Sequence, residues 1–133
     1  MLKVIINGYS GTMGKVLTKC VNEDKDLQLV CGASKDELDV PFKTYHKMSE
    51  VEELADVIID FSHHSTIEDT LNYATKTKTP LVIATTGFND EELGKIKEAS
   101  NIIPILLISF LFTDILIRND NIINSLSNLY SMF

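Results

Sequence analysis

The sequence predicts an α/β protein built on a doubly wound, mostly parallel sheet. Three observations carry that prediction. The apolar run Val4-Ile5-Ile6 leads directly into a glycine loop, Gly8-Tyr9-Ser10-Gly11-Thr12-Met13-Gly14. Short apolar runs then alternate with segments of helical period as far as Ser100. Finally, the runs are apolar throughout rather than alternating, as in parallel strands buried on both faces.

Taken in order, Leu2 to Asn7 reads as the first buried strand. From Met13 the apolar residues Met13, Val16, Leu17, Cys20 and Val21 fall at helical spacing, and the polar cluster Asn22-Glu23-Asp24-Lys25-Asp26 ends that helix. Leu27 to Cys31 is a second strand closed by Gly32, which completes a right-handed βαβ unit. Residues 35–47 are polar, contain Pro41 and hold no period, so they predict a surface loop with at most a short edge strand. Ser49 to Leu54 predicts a short helix, and Val57 to Phe61 a third buried strand.

Ser65 and Glu68 have the spacing of a capping box, with Asp69 adding negative charge to the first turn. Ile67, Leu71 and Ala74 supply the buried stripe of the helix that follows. Pro80 opens the strand Leu81 to Ala84, and Gly87 breaks it. Asn89 with Glu92 signals another helix start, with Leu93 and Ile96 on its buried side, and Ile102 to Ile108 is a last apolar run.

Beyond that run the composition changes. Phe110 to Phe133 is nearly all Ile, Leu, Phe, Asn and Ser, with only Asp114, Arg118 and Asp120 charged. The unbroken apolar stretch is well short of the ~20 residues a membrane span needs. Residues 1–107 therefore read as one domain and 108–133 as an atypical tail.

Net charge excludes one class of partner. At 133 residues and a formal charge of −7, the chain is not expected to have nucleic acid as its partner, since phosphate backbones are bound by basic surfaces. A small anionic cofactor is still compatible, since local backbone amides hold such a group. The two cysteines, Cys20 and Cys31, form no metal or redox motif and read as buried thiols in a reducing compartment. The N-terminal apolar run is too short for a signal peptide, so the expected location is cytoplasmic and no membrane partner is expected.

The glycine loop has the context of a dinucleotide site, lying after a strand and before an amphipathic helix, which makes the expected fold Rossmann-like. Gly8 would make the tight turn, Gly11 admit the phosphates and Gly14 let the helix pack, with the backbone amides of Thr12 and Met13 at the phosphate. A plain strand–helix turn, with positive φ at Gly8 or Gly11, is the alternative. Ser34 and Lys35 stand where the adenosine ribose is read, a hydroxyl and a cation that favour NADPH, or use of both NADPH and NADH. A solvated loop without cofactor contact is the alternative there. Asp60-Phe61-Ser62 and Ala84-Thr85-Thr86 end two central strands at the edge where such sheets bind ligands. His63 and His64 have acid/base chemistry, but a strand-end pair is more often solvated. No catalytic residue and no metal ligand is assigned, and His46 has no role.

Gly8-Tyr-Ser-Gly-Thr-Met-Gly14, Asp56-Val-Ile-Ile-Asp-Phe-Ser62 and Val82-Ile-Ala-Thr-Thr-Gly-Phe88, in this order and spacing, resemble dihydrodipicolinate reductase, also called 4-hydroxy-tetrahydrodipicolinate reductase. The resemblance covers roughly residues 1–107. It implies a nicotinamide dinucleotide, NADPH or NADH, held by Gly8, Tyr9, Ser10, Gly11, Thr12 and Met13 at the pyrophosphate. Ser34 and Lys35 would lie at the adenosine ribose, and Phe61, Ala84, Thr85 and Thr86 toward the nicotinamide. It also implies reduction of a cyclic imine dicarboxylate in lysine and diaminopimelate synthesis.

Two departures qualify this resemblance. Ser34 replaces the family's frequent acidic residue, and Ala84 its usual glycine. More broadly, the family's Asn-(Phe/Met)-Ser segment and its substrate domain, with a His-His…Lys…Pro-Ser-Gly-Thr motif, have no counterpart here. No histidine follows His64 and no lysine follows Lys97. The expectation is a cofactor-binding portion without turnover, its tail the product of a frame shift near residue 108 that the coding DNA would reveal. A stand-alone nucleotide-binding or regulatory module, and a non-functional fragment with an aggregating apolar tail, are the other readings. Oligomeric state is not legible.

Overall fold

The computed structural model describes residues 1–108. Its strands are β1 (Leu2–Asn7), β2 (Leu27–Ala33), β3 (Thr44–Tyr45), β4 (Val57–Asp60), β5 (Leu81–Ile83) and β6 (Ile105–Leu107). Its helices are α1 (Thr12–Glu23), α2 (Ile67–Thr77) and α3 (Asp90–Ala99). The strands form one sheet in the order β3-β2-β1-β4-β5-β6, and every pairing is parallel. This is the doubly wound order, with the chain reversing direction across the sheet between β1 and β4.

Strand side chains point alternately to the two faces, which gives three layers. Ile5 packs with Ile67 and Leu71 of α2 and Ile96 of α3. Val4 and Ile6 pack on the other face with Leu17 and Val21 of α1. Full burial of one such side chain contributes about 1.5–3 kcal/mol, so β1, covered on both faces, anchors the domain.

Several boundaries differ from the sequence expectation, each for a local reason. On α1 the buried residues are Gly14, Leu17 and Val21, while Met13 and Val16 are exposed and Cys20 is half-buried. A Cβ on Gly14 would sit 2.0 Å from the Gly8 carbonyl oxygen, so α1 presses its glycine row against the loop and turns Met13 and Val16 outward. Leu93 is likewise exposed, because α3 presents Ile96 and Ala99 to the sheet. β2 runs through Gly32 to Ala33, where the missing Cβ leaves room for the Tyr9 ring.

The expected helix over 49–54 is only a 3-10 turn, Met48–Glu50. The expected capping box at Ser65 is replaced by a 3-10 turn, His64–Thr66, because the His63 side chain takes the Ser65 amide at 3.2 Å and Glu68 turns to Lys95 at 3.0 Å. At α3 the Asn89–Glu92 capping box forms with both of its bonds. The expectations for the tail from residue 109 onward lie outside the described residues.

Candidate functional site

At the reversal between β1 and β4, the loops leaving the two strands diverge and open a cleft of about 520 Å3 at their carboxyl ends. The glycine loop forms one wall. Gly8 has φ +85°, and a Cβ there would lie 2.4 Å from the Phe61 carbonyl oxygen, so the loop rests on the exit of β4. Gly11 differs from its neighbours. Its backbone is extended (φ −73°, ψ 172°), and a Cβ would meet only the Gly8 carbonyl oxygen, at an ordinary 3.6 Å. The fold therefore requires glycine at 8 and 14 but not at 11, where the missing side chain only widens the cleft. Gly11 is also the N-cap of α1, with no side-chain capping bond and no acidic residue in the first turn. The positive end of α1 thus faces the cleft with no capping side chain or first-turn acid to offset it.

Of the residues singled out from sequence, Gly8, Ser10, Gly11, Ser34, Lys35 and Phe61 line this cleft. The Ser10 and Ser34 hydroxyls meet at 2.5 Å and tie the loop after β1 to the loop after β2. Tyr9 points away into the protein, its ring edge-on to Phe42 at 5.4 Å and its hydroxyl accepting the Leu38 N–H at 3.0 Å. Thr12 and Met13 lie on the exposed first turn of α1, outside the lining. Ala84 and Thr85 are buried, with Thr85 Oγ1 donating to the Ser62 carbonyl at 3.2 Å. Thr86 is exposed, and none of residues 84–86 lines the cleft.

Sequence reasoning missed two groups. His46 and Lys47, just beyond β3, reach the same rim as Lys35, because the pairing Ala33↔Tyr45 brings both chain exits to one edge. A basic pair following an edge strand was the available signal. The second group is a buried polar cluster beneath the glycine loop. Asn7 Nδ2 reaches Asp60 Oδ1 at 3.3 Å, Ser62 Oγ at 3.3 Å and Thr70 Oγ1 at 2.9 Å. Asp60 Oδ1 also accepts the Ser62 N–H at 2.9 Å and the Ser62 hydroxyl. Asp60 is 1% exposed, and its Oδ2 has no partner. Burial pushes this carboxyl above the usual carboxylate range, against the hydrogen bonds that favour its charged form.

The His63 and His64 rings lie with centroids 4.3 Å apart, tilted by 40° to each other. His63 borders the cleft, whereas His64 Nδ1 lies 2.9 Å from both Glu92 carboxylate oxygens and is committed to the start of α3. Cys31 is fully buried, and burial followed by the nearby Glu53 charge pushes its thiol up to about 12, so it is no nucleophile. Among the described residues, no three His, Cys, Asp or Glu side chains converge as a metal site, and no helix is long and apolar enough to cross a membrane.

Residues 2–109 match the family model described as dihydrodipicolinate reductase, N-terminus. A 4-hydroxy-tetrahydrodipicolinate reductase of Caldanaerobacter subterraneus subsp. tengcongensis is 45% identical over 105 residues, covering 79% of this chain and 42% of that protein. The enzyme of the same name from Clostridium tetani is 38% identical over 130 residues, 95% of this chain and 48% of its own. The chain thus spans less than half the length of these relatives. Among solved structures, the dipicolinate-bound dihydrodipicolinate reductase of Paenisporosarcina sp. TG-14 superposes with a TM-score of 0.68 at 20% identity, over 80% of this chain and 46% of that one. That likeness concerns the fold.

Proposed function

The chain belongs to the dihydrodipicolinate reductase family through its N-terminal domain, and from that premise we propose that its cleft binds a nicotinamide dinucleotide, NADPH or NADH. The observation that carries the reading is Gly11. Nothing in the packing demands a glycine there, yet one stands at the bare N-terminus of α1, inside the cleft. A diphosphate fits that place, since helix amides and the helix dipole favour an anion. Ser34 and Lys35 then lie beside the adenosine ribose, and the nicotinamide end runs past Phe61 toward residues 84–86. The relatives are named reductases of 4-hydroxy-tetrahydrodipicolinate, and the reaction served is the corresponding reduction, with hydride supplied by the bound dinucleotide.

Fluorescence titration with each dinucleotide tests the reading, and its failure is simple: a folded chain that binds neither has another function. Lys35→Glu tests the ribose assignment. It places a negative charge beside a 2′-phosphate and should weaken NADPH roughly five- to tenfold more than NADH. Equal losses for both would put Lys35 outside the site.

A further inference from the structure

We propose that Asp60 is a positioning residue for the dinucleotide, a buried acid beneath the glycine loop whose ionisation opposes binding of the diphosphate. The proposal rests on the cofactor reading above and adds a linkage between binding and one proton.

The geometry has three parts. Asp60 is 1% exposed, with donors gathered on Oδ1 and no protein partner on Oδ2 among the described residues, so a carboxylate there would keep one oxygen unpaired by the protein. The groups bonded to it are neutral: Asn7 from β1, and Ser62 from the loop after β4. Thr70 of α2, through Asn7, and Thr85 beyond β5, whose hydroxyl reaches the Asp60 carbonyl and also favours the charged carboxyl, complete the cluster without adding charge. The ionisable side chains of these segments are engaged elsewhere, with His63 on Ser65, His64 on Glu92, Glu68 on Lys95 and Asp69 on the Ser49 N–H. No cation offsets a charge at Asp60 among the described residues. Lastly, Asp60 stands two steps from the cleft. Its bonds set Asn7 and Ser62, both of which line the cleft, and Gly8 packs directly on Phe61. A negative charge at Asp60 therefore lies under the place where the diphosphate adds two more.

Binding should accordingly favour the protonated acid. Burial has already raised its proton affinity, and an anion overhead raises it further. The test uses NADH, which lacks a titrating 2′-phosphate, and measures affinity for the wild type and Asp60→Asn across the whole pH range in which both stay folded. The amide keeps the Oδ1 acceptor and cannot ionise. Wild-type affinity should fall by up to about tenfold per pH unit once Asp60 ionises, while Asp60→Asn loses that component and binds at least as tightly at the upper end. Parallel pH profiles, or a loss in Asp60→Asn as large as in Asp60→Ala, would overturn the proposal. Infrared spectra of the wild type provide a readout that needs no variant. The carbonyl stretch of a protonated carboxylic acid should persist on adding NADH at a pH where the free protein has begun to lose it. Its loss on binding would also overturn the assignment. If the wild type binds no NADH at any pH, the cofactor reading fails and takes this inference with it; binding with an unchanged profile removes only the inference.

Discussion

Gly8 and Gly14 are held by the backbone that crowds them, since a Cβ would lie 2.4 Å from the Phe61 oxygen and 2.0 Å from the Gly8 oxygen respectively, whereas Gly11 is not crowded. Two substitutions should therefore separate folding from binding. Gly14→Ala forces a methyl group into the loop and should cost several kcal/mol, in the range of severe backbone and packing defects, visible as a collapsed urea midpoint. Gly11→Val should leave the midpoint within about 0.5–1 kcal/mol of wild type and abolish NADPH binding, because its branches enter the phosphate site. Retained affinity in a folded Gly11→Val variant would remove the phosphate-loop assignment. The glycine spacing was readable in the chain, but the unequal duties of the three were not. The duty of Gly14 depends on the way the loop backbone at Gly8 and Tyr9 turns back onto α1. That of Gly8 depends on Phe61, which follows more than fifty residues later and meets the loop only in the folded sheet. The same distance hid the Asn7–Asp60 pair: each is an ordinary polar residue at a strand end until β1 and β4 stand side by side.

At the scale of elements, buried parallel strands announce themselves as apolar runs, and β1, β4 and β5 were legible for that reason. Helix faces were harder. Periodicity scores a glycine as blank, so the apolar row through Met13 and Val16 outweighed the Gly14 row that docks. Caps were legible where no competitor stood nearby. Asn89 and Glu92 form their reciprocal box, but at Ser65 the neighbouring imidazole of His63 captured the amide first. Glu92 also holds His64, so the start of α3 is joined to the loop after β4. Asn89→Ala should cost about 1 kcal/mol, measured by urea denaturation, by exposing first-turn amides of α3. The Ser65→Ala change should stay within about 0.5 kcal/mol, since no helix cap is lost.

For the whole molecule, the net charge is −7, and the cleft lining sets Lys35 and Lys47 against Asp36 and Asp69. An anionic cofactor therefore relies on local amides and individual cations rather than on the total charge. Binding there stabilises the native state by mass action. At about 100 times its dissociation constant, NADPH should add about 2.7 kcal/mol and raise the melting temperature in step with concentration. The Gly11→Val chain should melt at one temperature whatever the NADPH concentration, and a parallel rise in both would mean that the ligand acts elsewhere. The unequal glycines carry a consequence on a longer timescale. In a lineage that no longer used the cofactor, selection for folding alone would go on protecting positions 8 and 14 and would release position 11. Side chains would accumulate there first, which makes that position a gauge of how recently descendants of this domain worked for their living.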